Sequence, residues 1–223
     1  MKKMQGIFDI IGPIMIGPSS SHTAGAARLG AVSRMIFGRK PKKATFFLHG
    51  SFGKTYRGHG TDKALAAGIL GFKPDDVRLR EALEIAKEEG IEILFSLKDL
   101  GNVHPNSVQM ILEDEKGSMK IQGSSIGGGN IRVDWVDDFQ IEFTGEYNSV
   151  VTIHHDRPGI VFAISGILAK GEINIAFMKV FREGKGQRAL MVIETDQKVP
   201  DAMLTELKSV EAIEKIMALP ALE

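Results

Sequence analysis

Cysteine is missing from all 223 residues. With it go disulfides, thiolate nucleophiles, zinc ribbons and any iron–sulfur cluster ligated by this chain itself. Long apolar runs are missing as well: nothing approaches the roughly 18 uncharged residues that span a bilayer, so no membrane partner is expected. The first 17 residues open with two lysines, but Asp9 and the Gly/Pro spacing interrupt their apolar stretch. They read as mature protein rather than a secretory leader, and the expected location is cytosolic. No low-complexity tract and no fixed-period repeat is present. Aromatic residues make up only 7% of the chain and do not interleave with a basic stripe, so no nucleic-acid partner is expected.

What remains is an ordinary globular composition, 43% hydrophobic and 25% charged, long enough for one or two domains with real cores. The net charge of zero hides an asymmetry. Residues 1–63 hold eleven Lys/Arg against Asp9 and Asp62, a balance of +9 that leaves −9 for the rest. A positive first segment suits an anionic small molecule or an acidic partner surface.

The spacing predicts a helix over Ser21–Phe37, with Ala24, Ala27, Ala31 and Met35 forming a buried stripe of mostly small residues that asks for a close neighbour. Gly38 and Pro41 end it. Ala44–Leu48 reads as a strand running into a Gly-rich loop from His49, and Thr61 or Asp62 caps a second helix that stops at Gly71. Pro74-Asp75-Asp76 opens a third helix with Leu79, Leu83 and Ala86 on one face, and Gly90 closes it. Ile91–Leu97 is extended, and residues 107–143 read as an antiparallel meander. Helices followed by such a run indicate α+β for 1–143. Residues 144–148 read as a linker. From 149 to 223 the order is strand, helix, strand, strand, helix and a final element, a ferredoxin-like βαββαβ arrangement. The final element has a more helical than extended spacing.

Four Gly-rich polar corners carry the chemistry. In Gly17-Pro18-Ser19-Ser20-Ser21-His22-Thr23-Ala24-Gly25, three hydroxyls, an imidazole and a threonine stand where a helix begins. This is either a polar turn with an N-cap or a cradle for a carboxylate or phosphate. Gly58-His59-Gly60-Thr61-Asp62 sets a histidine between two glycines, free to face a ligand or solvent. Asn102 and His104 flank Val103 before Pro105-Asn106, a fixed polar turn or a binding corner. Ser124-Ser125-Ile126-Gly127-Gly128-Gly129 offers backbone N–H groups or simply a bulged loop. Together they suit a small zwitterion. No metal site is expected: the histidines lack chelating spacing, and His154 and His155 point to opposite faces of a strand.

With Pro18-Ser19-Ser20-Ser21-His22-Thr23, Gly58-His59-Gly60-Thr61-Asp62 and Ser125-Ile126-Gly127-Gly128-Gly129 in that order, the full chain resembles the β subunits of bacterial two-chain iron–sulfur-dependent L-serine dehydratases. The C-terminal part resembles an ACT domain through Asp156-Arg157-Pro158-Gly159 and its topology. The resemblance implies a substrate-binding-type α+β domain at 1–143 and an ACT domain at 149–223. It implies an L-serine ammonia-lyase reaction giving pyruvate and ammonia without pyridoxal phosphate. The 4Fe–4S cluster it implies is held by cysteines of a separate α subunit, one iron being free for substrate. It assigns His59 as leading base and His22 as second catalytic histidine. Ser19, Ser20, Ser21, Thr23, Thr61, Asp62, Asn102 and His104 are then substrate-binding, and Asp156, Pro158, Gly159 and Asn174 are the ACT effector positions. Self-association through the ACT domain is a further implication. The competing reading is a stand-alone amino-acid-binding regulatory module without chemistry, which would gain nothing from His22 and His59 beside its hydroxyls.

Overall fold

The computed structural model describes residues 13–222, and the chain divides into two compact units, one up to Asp137 and one from Asp138 onward. In the first unit the serine-rich segment does not enter an α-helix directly. It forms one π-helical turn, Ser20–Gly25, which hands over to α1 (Ala26–Phe37). Gly38, left-handed at φ 81°, ends α1 by donating its N–H to the Arg34 carbonyl.

The small-residue stripe has its reason in the crossing of α1 with α3 (Thr61–Leu70). A Cβ on Gly68 would sit 2.1 Å from the Ala27 carbonyl oxygen and 2.5 Å from the Ala31 nitrogen. One on Gly30 would sit 2.4 Å from the Leu65 carbonyl oxygen. The two backbones therefore touch, and only glycine permits it.

Two helical expectations need correction. Residues beyond His49, expected as a Gly-rich loop, form helix α2 (Gly50–His59) after strand β1 (Lys43–Leu48). Its glycines disfavour a helix, but Phe52 is fully buried and the Tyr56 ring lies 5.9 Å from Phe95, so tertiary packing overrides propensity. The expected third helix is divided into a 3₁₀ turn (Val77–Glu81), capped by the Asp76 side chain, and α4 (Ala82–Glu88). Leu79 and Ala86 are buried as their spacing predicts.

The strands β2 (Glu92–Leu97), β3 (Ser107–Asp114), β4 (Gly117–Gly127), β5 (Asn130–Val136) and β6 (Phe139–Phe143) join β1 in a sheet of order β2-β1-β3-β4-β5-β6. β1 runs parallel to β2, across the helical crossover, and antiparallel to β3; the β3–β4 and β4–β5 pairs are antiparallel. Ala44, Phe46 and Leu48 of β1 alternate inward, joining Leu29, Ile36, Leu65, Ile69, Met110, Leu112 and Ile121 in the core.

The second unit follows the predicted βαββαβ order: β7 (Asn148–His155), α5 (Ile160–Lys170), β8 (Ile175–Arg182), β9 (Arg188–Thr195), α6 (Asp201–Lys208) and β10 (Ile213–Leu219). Its sheet has the order β10-β7-β9-β8. The last element, whose spacing reads more helical than extended, is a strand because pairing with β7 from Leu219↔Ser149 to Ile213↔His154 outweighs its pattern. Ile160, Ile164, Leu168 and Leu207 of the helices pack on Val150, Met191 and Ile193 of the sheet. The α+β reading thus holds, with a parallel strand pair added. Among the described residues no helix is long and apolar enough to cross a membrane.

Candidate active site

Ser19 starts the site. Its extended backbone (φ −145°, ψ 123°) lets Oγ accept the His22 N–H at 3.3 Å, and its carbonyl accepts the Thr23 N–H at 2.8 Å. The π turn that follows buries His22, Thr23, Ala24 and Gly25 and leaves Ser20 and Ser21 half-buried. π turns are costly and recur at functional sites. Gly25 is the point of contact with β4, where a Cβ would fall 2.0 Å from the Ser125 Oγ.

The His22 imidazole is held on every side. Nδ1 lies 3.3 Å from the Ser19 Oγ and Nε2 3.1 Å from the Ser51 Oγ in the first turn of α2. Phe52 meets the ring edge-on at 5.4 Å, and the His59 ring stands at 85° to it with centroids 4.9 Å apart. Burial, and then the neighbouring His59, hold the His22 pKa below its ordinary 6.5, while a hydrogen bond to the Ser51 backbone works the other way. His59 ends α2 and is exposed, with open space around Gly58 and Gly60.

Neither Thr61 nor Asp62 caps α3, contrary to expectation. Gly60, left-handed at φ 71°, takes the N-cap position, and the Asp62 carboxylate accepts its neighbour Lys63's N–H at 2.9 Å. Thr61 is fully buried, and its hydroxyl has no partner.

The turn before β3 divides. Asn102 is exposed, whereas His104 is half-buried and accepts the Asn106 N–H on Nδ1 at 3.1 Å. The Pro105 carbonyl accepts the Ser51 N–H at 2.8 Å, joining this turn to the start of α2. The Asn106 carbonyl in turn accepts the Ser125 N–H at 3.0 Å. Ser124 and Ser107 share a buried hydroxyl pair at 2.8 Å, behind which Asp134 accepts from Ser124 at 3.2 Å. Gly127, Gly128 and Gly129, all at positive φ, make the β4–β5 turn next to a bulge.

Four buried side-chain atoms in these segments have no partner: Thr23 Oγ1, Thr61 Oγ1, Asn106 Oδ1 and Ser125 Oγ. Each such atom costs about 1–3 kcal/mol unless something satisfies it. Ser51 is a candidate that the sequence does not single out, while Asn106 and Ser125 stand in two of the polar corners without an assigned role. Their only signals are a serine at a helix start, an amide after a proline and a hydroxyl before a glycine run.

In the second unit the expected effector positions do not meet. Asp156, Pro158 and Gly159 precede α5 and Asn174 follows it, so an eleven-residue helix of about 16 Å separates them. The Asp156 carboxylate is already engaged, by Arg182 Nε at 2.8 Å and the Gly186 N–H at 3.0 Å, which hold its pKa below the usual range. Asn174 donates to Asp196 at 2.6 Å and takes the Gln197 side chain on its own N–H. His154 is fully buried, Nδ1 3.2 Å from the Thr152 hydroxyl and Nε2 without a partner, while His155 on the other face is exposed. Among the described residues no three His, Asp or Glu side chains gather as a metal site.

Residues 6–90 match the family model of the serine dehydratase beta chain, and residues 149–212 match the ACT domain. The chain is 44% identical over 211 residues to the probable L-serine dehydratase beta chain of Bacillus subtilis, covering 95% of this chain and 96% of that one. It is 37% identical to the L-serine dehydratase beta chain of Peptoniphilus asaccharolyticus, covering 92% and 93%. To the D-3-phosphoglycerate dehydrogenase of Synechocystis it is 27% identical, over 84% of this chain but 34% of that protein.

Proposed function

The chain belongs to the family of serine dehydratase beta chains, and from that premise we propose that its two histidines do the proton work of an L-serine ammonia-lyase. The β subunit of such an enzyme serves the deamination of L-serine to pyruvate and ammonia. A regulatory module without chemistry is not favoured, since the relatives that match over more than 90% of both chains are subunits of a lyase.

The observation that carries the reading is the pair of rings at 4.9 Å, one buried and one exposed. Taking the α-proton of serine needs a base at the substrate, and the exposed His59 can reach one. His22, held neutral by burial, orients the substrate or passes the proton on. Ser19, Ser20, Ser21 and Thr23 supply hydroxyls to the carboxylate, with the unpartnered Thr23 Oγ1 the first to gain from a ligand. Thr61 and His104 belong to the same group in this reading.

A beta chain implies a partner α subunit, and the serine dehydratase family suggests an iron–sulfur enzyme. This chain does not fit the cluster, having no cysteine and, among its described residues, no gathered metal ligands. We assign the 4Fe–4S cluster and its ligands to the α subunit. The domain limits proposed are 1–143 for the substrate-binding part, 144–148 for a linker and 149–223 for the ACT domain. We further propose that the ACT domain self-associates along its edge strand β8, where Phe177 is 62% exposed.

The test is anaerobic co-production with the α subunit and assay of pyruvate from L-serine. His59→Ala should lower kcat by about 10²-fold or more, the scale of general acid–base catalysis. Undiminished turnover would remove His59 from the chemistry.

A further inference from the structure

A strand at the rim of a sheet leaves every second N–H and C=O without a strand partner, and folded chains blunt such a rim with proline, a bulge, inward charge or a covering element. β2 is the rim of the six-stranded sheet, with β1 as its neighbour on one side. It holds no proline, and it pairs with β1 without a bulge from Lys43↔Glu92 to Leu48↔Leu97. Its charges stand only at the two ends, Glu92 and the adjoining Lys98. Between them runs Ile93-Leu94-Phe95-Ser96-Leu97, with Leu94 40% and Leu97 66% exposed.

The ladder fixes which backbone groups are free. The Glu92 N–H donates to the Lys42 carbonyl at 2.9 Å, and the Lys98 N–H to the Leu48 carbonyl at 3.0 Å. Direction alternates along a strand, so Leu94 and Ser96 also face β1, while Ile93, Phe95 and Leu97 turn both N–H and C=O outward. None of these three has a backbone partner among the described residues. Two such rims laid antiparallel use all three only when centred on Phe95; a centre at Leu94 or Ser96 leaves one of them facing a residue beyond β2. About Phe95, the pairs Phe95↔Phe95 and Ile93↔Leu97 each exchange both hydrogen bonds. The same centre sets Glu92 against the second copy's Lys98 and Leu94 against its Ser96, as the close pairs without backbone bonds, and covers the exposed Leu97 with Ile93. Both charges have room for this. Glu92 lies 3.6 Å from Lys43, and Lys98 gives one N–H to Gln109 at 3.0 Å and keeps the others.

We infer that β2 is the docking edge for a second copy of this chain, joined antiparallel about Phe95 so that two sheets become one. The edge is complementary to itself in backbone direction, in apolar contact and in charge. The inference owes nothing to the catalytic reading and uses a different strand from the ACT edge.

The natural absence of cysteine makes the register directly readable in the full-length chain. The double variant Leu94→Cys/Ser96→Cys should oxidise under mild conditions to a covalent dimer, since close antiparallel pairs have the Cα spacing of a disulfide. Either single variant should stay mostly monomeric on a denaturing gel, because like positions lie on the diagonal, about 7–8 Å apart. A covalent dimer from Leu94→Cys alone, or from Ser96→Cys alone, means another register and overturns the inference. Hydrogen exchange tests the native chain: the Ile93, Phe95 and Leu97 amides should slow as concentration rises, while Leu94 and Ser96 stay slow throughout. Equally fast exchange of the three at every concentration overturns it, and so does protection that appears only on adding the α subunit, which would make that subunit the occupant. Glu92→Lys or Lys98→Glu should each weaken self-association about tenfold, from two like-charge pairs per dimer, and the double exchange should restore it. Failure of the double variant to recover refutes the register.

Discussion

Gly68→Ala is the change that probes the frame beneath the two histidines most directly. The new methyl would lie 2.1 Å from the Ala27 carbonyl oxygen and 2.5 Å from the Ala31 nitrogen, where ordinary contact begins near 3.4 Å. Both neighbours are backbone, so no rotamer relieves the clash, and α1 and α3 must part by roughly 1 Å. Overpacking of this kind costs typically 1–3 kcal/mol and occasionally more, while alanine in place of glycine inside a helix returns about 1 kcal/mol. With backbone atoms on both sides the cost lies at the upper end, about 3 kcal/mol, so the expected balance is a loss of about 2 kcal/mol, or roughly 4–8 °C in melting temperature by circular dichroism. Gly58→Ala is the control: it sits in a helix with open space around it and should stabilise by up to about 1 kcal/mol. Because α1 continues the π turn that carries His22 and α3 begins just after His59, kcat of the reconstituted enzyme should also fall in Gly68→Ala. A Gly68→Ala chain as stable as the native one would refute the close crossing.

Further predictions concern the site and the second unit. Ser20→Ala should raise KM for serine more than it lowers kcat; an unchanged KM counts against the hydroxyl cradle. His22 and His154 are both held below 6.5 in the folded chain, mainly by burial. Above 6.5 neither contributes; as pH falls through and below it the unfolded chain takes up protons that the folded one refuses, so stability declines until the folded-state values are passed. The melting temperature should therefore drop between about pH 7.5 and 5.5, less steeply in His154→Gln, and a flat profile would contradict the burial argument. Asp156→Ala should release the Gly186 N–H and speed its hydrogen exchange, whereas unchanged protection would mean the carboxylate does not hold that turn.

The elements legible in the sequence are those whose pattern and packing agree. The strands of the meander alternate as Val108, Met110 and Leu112 do, and the turn glycines stand where the chain reverses. Helix α2 was hidden because its glycines argue for a loop, and only Phe52 in the core and Tyr56 against Phe95 reverse the balance. β10 was hidden for the opposite reason, a helical spacing overruled by a neighbouring strand. The parallel pairing of β1 with β2 has no local signature at all, since it is set by the helices between them. In the site, His59 stands out between two glycines and His22 at the end of a serine run. Ser51 does not, because its importance lies in what it faces across 29 residues of sequence.

The π turn has a consequence for chain length. Its wider coil accommodates one residue more than an α-helical turn would, and each residue of a helix is worth about 100° of rotation. Deleting one residue between Ser20 and Gly25 would let the segment regularise without disturbing Ala27 and Ala31 of the stripe, yet swing His22 away from its serine. Among natural or designed variants of this chain, the site should be far less tolerant of a one-residue gap here than of any single exchange of side chain.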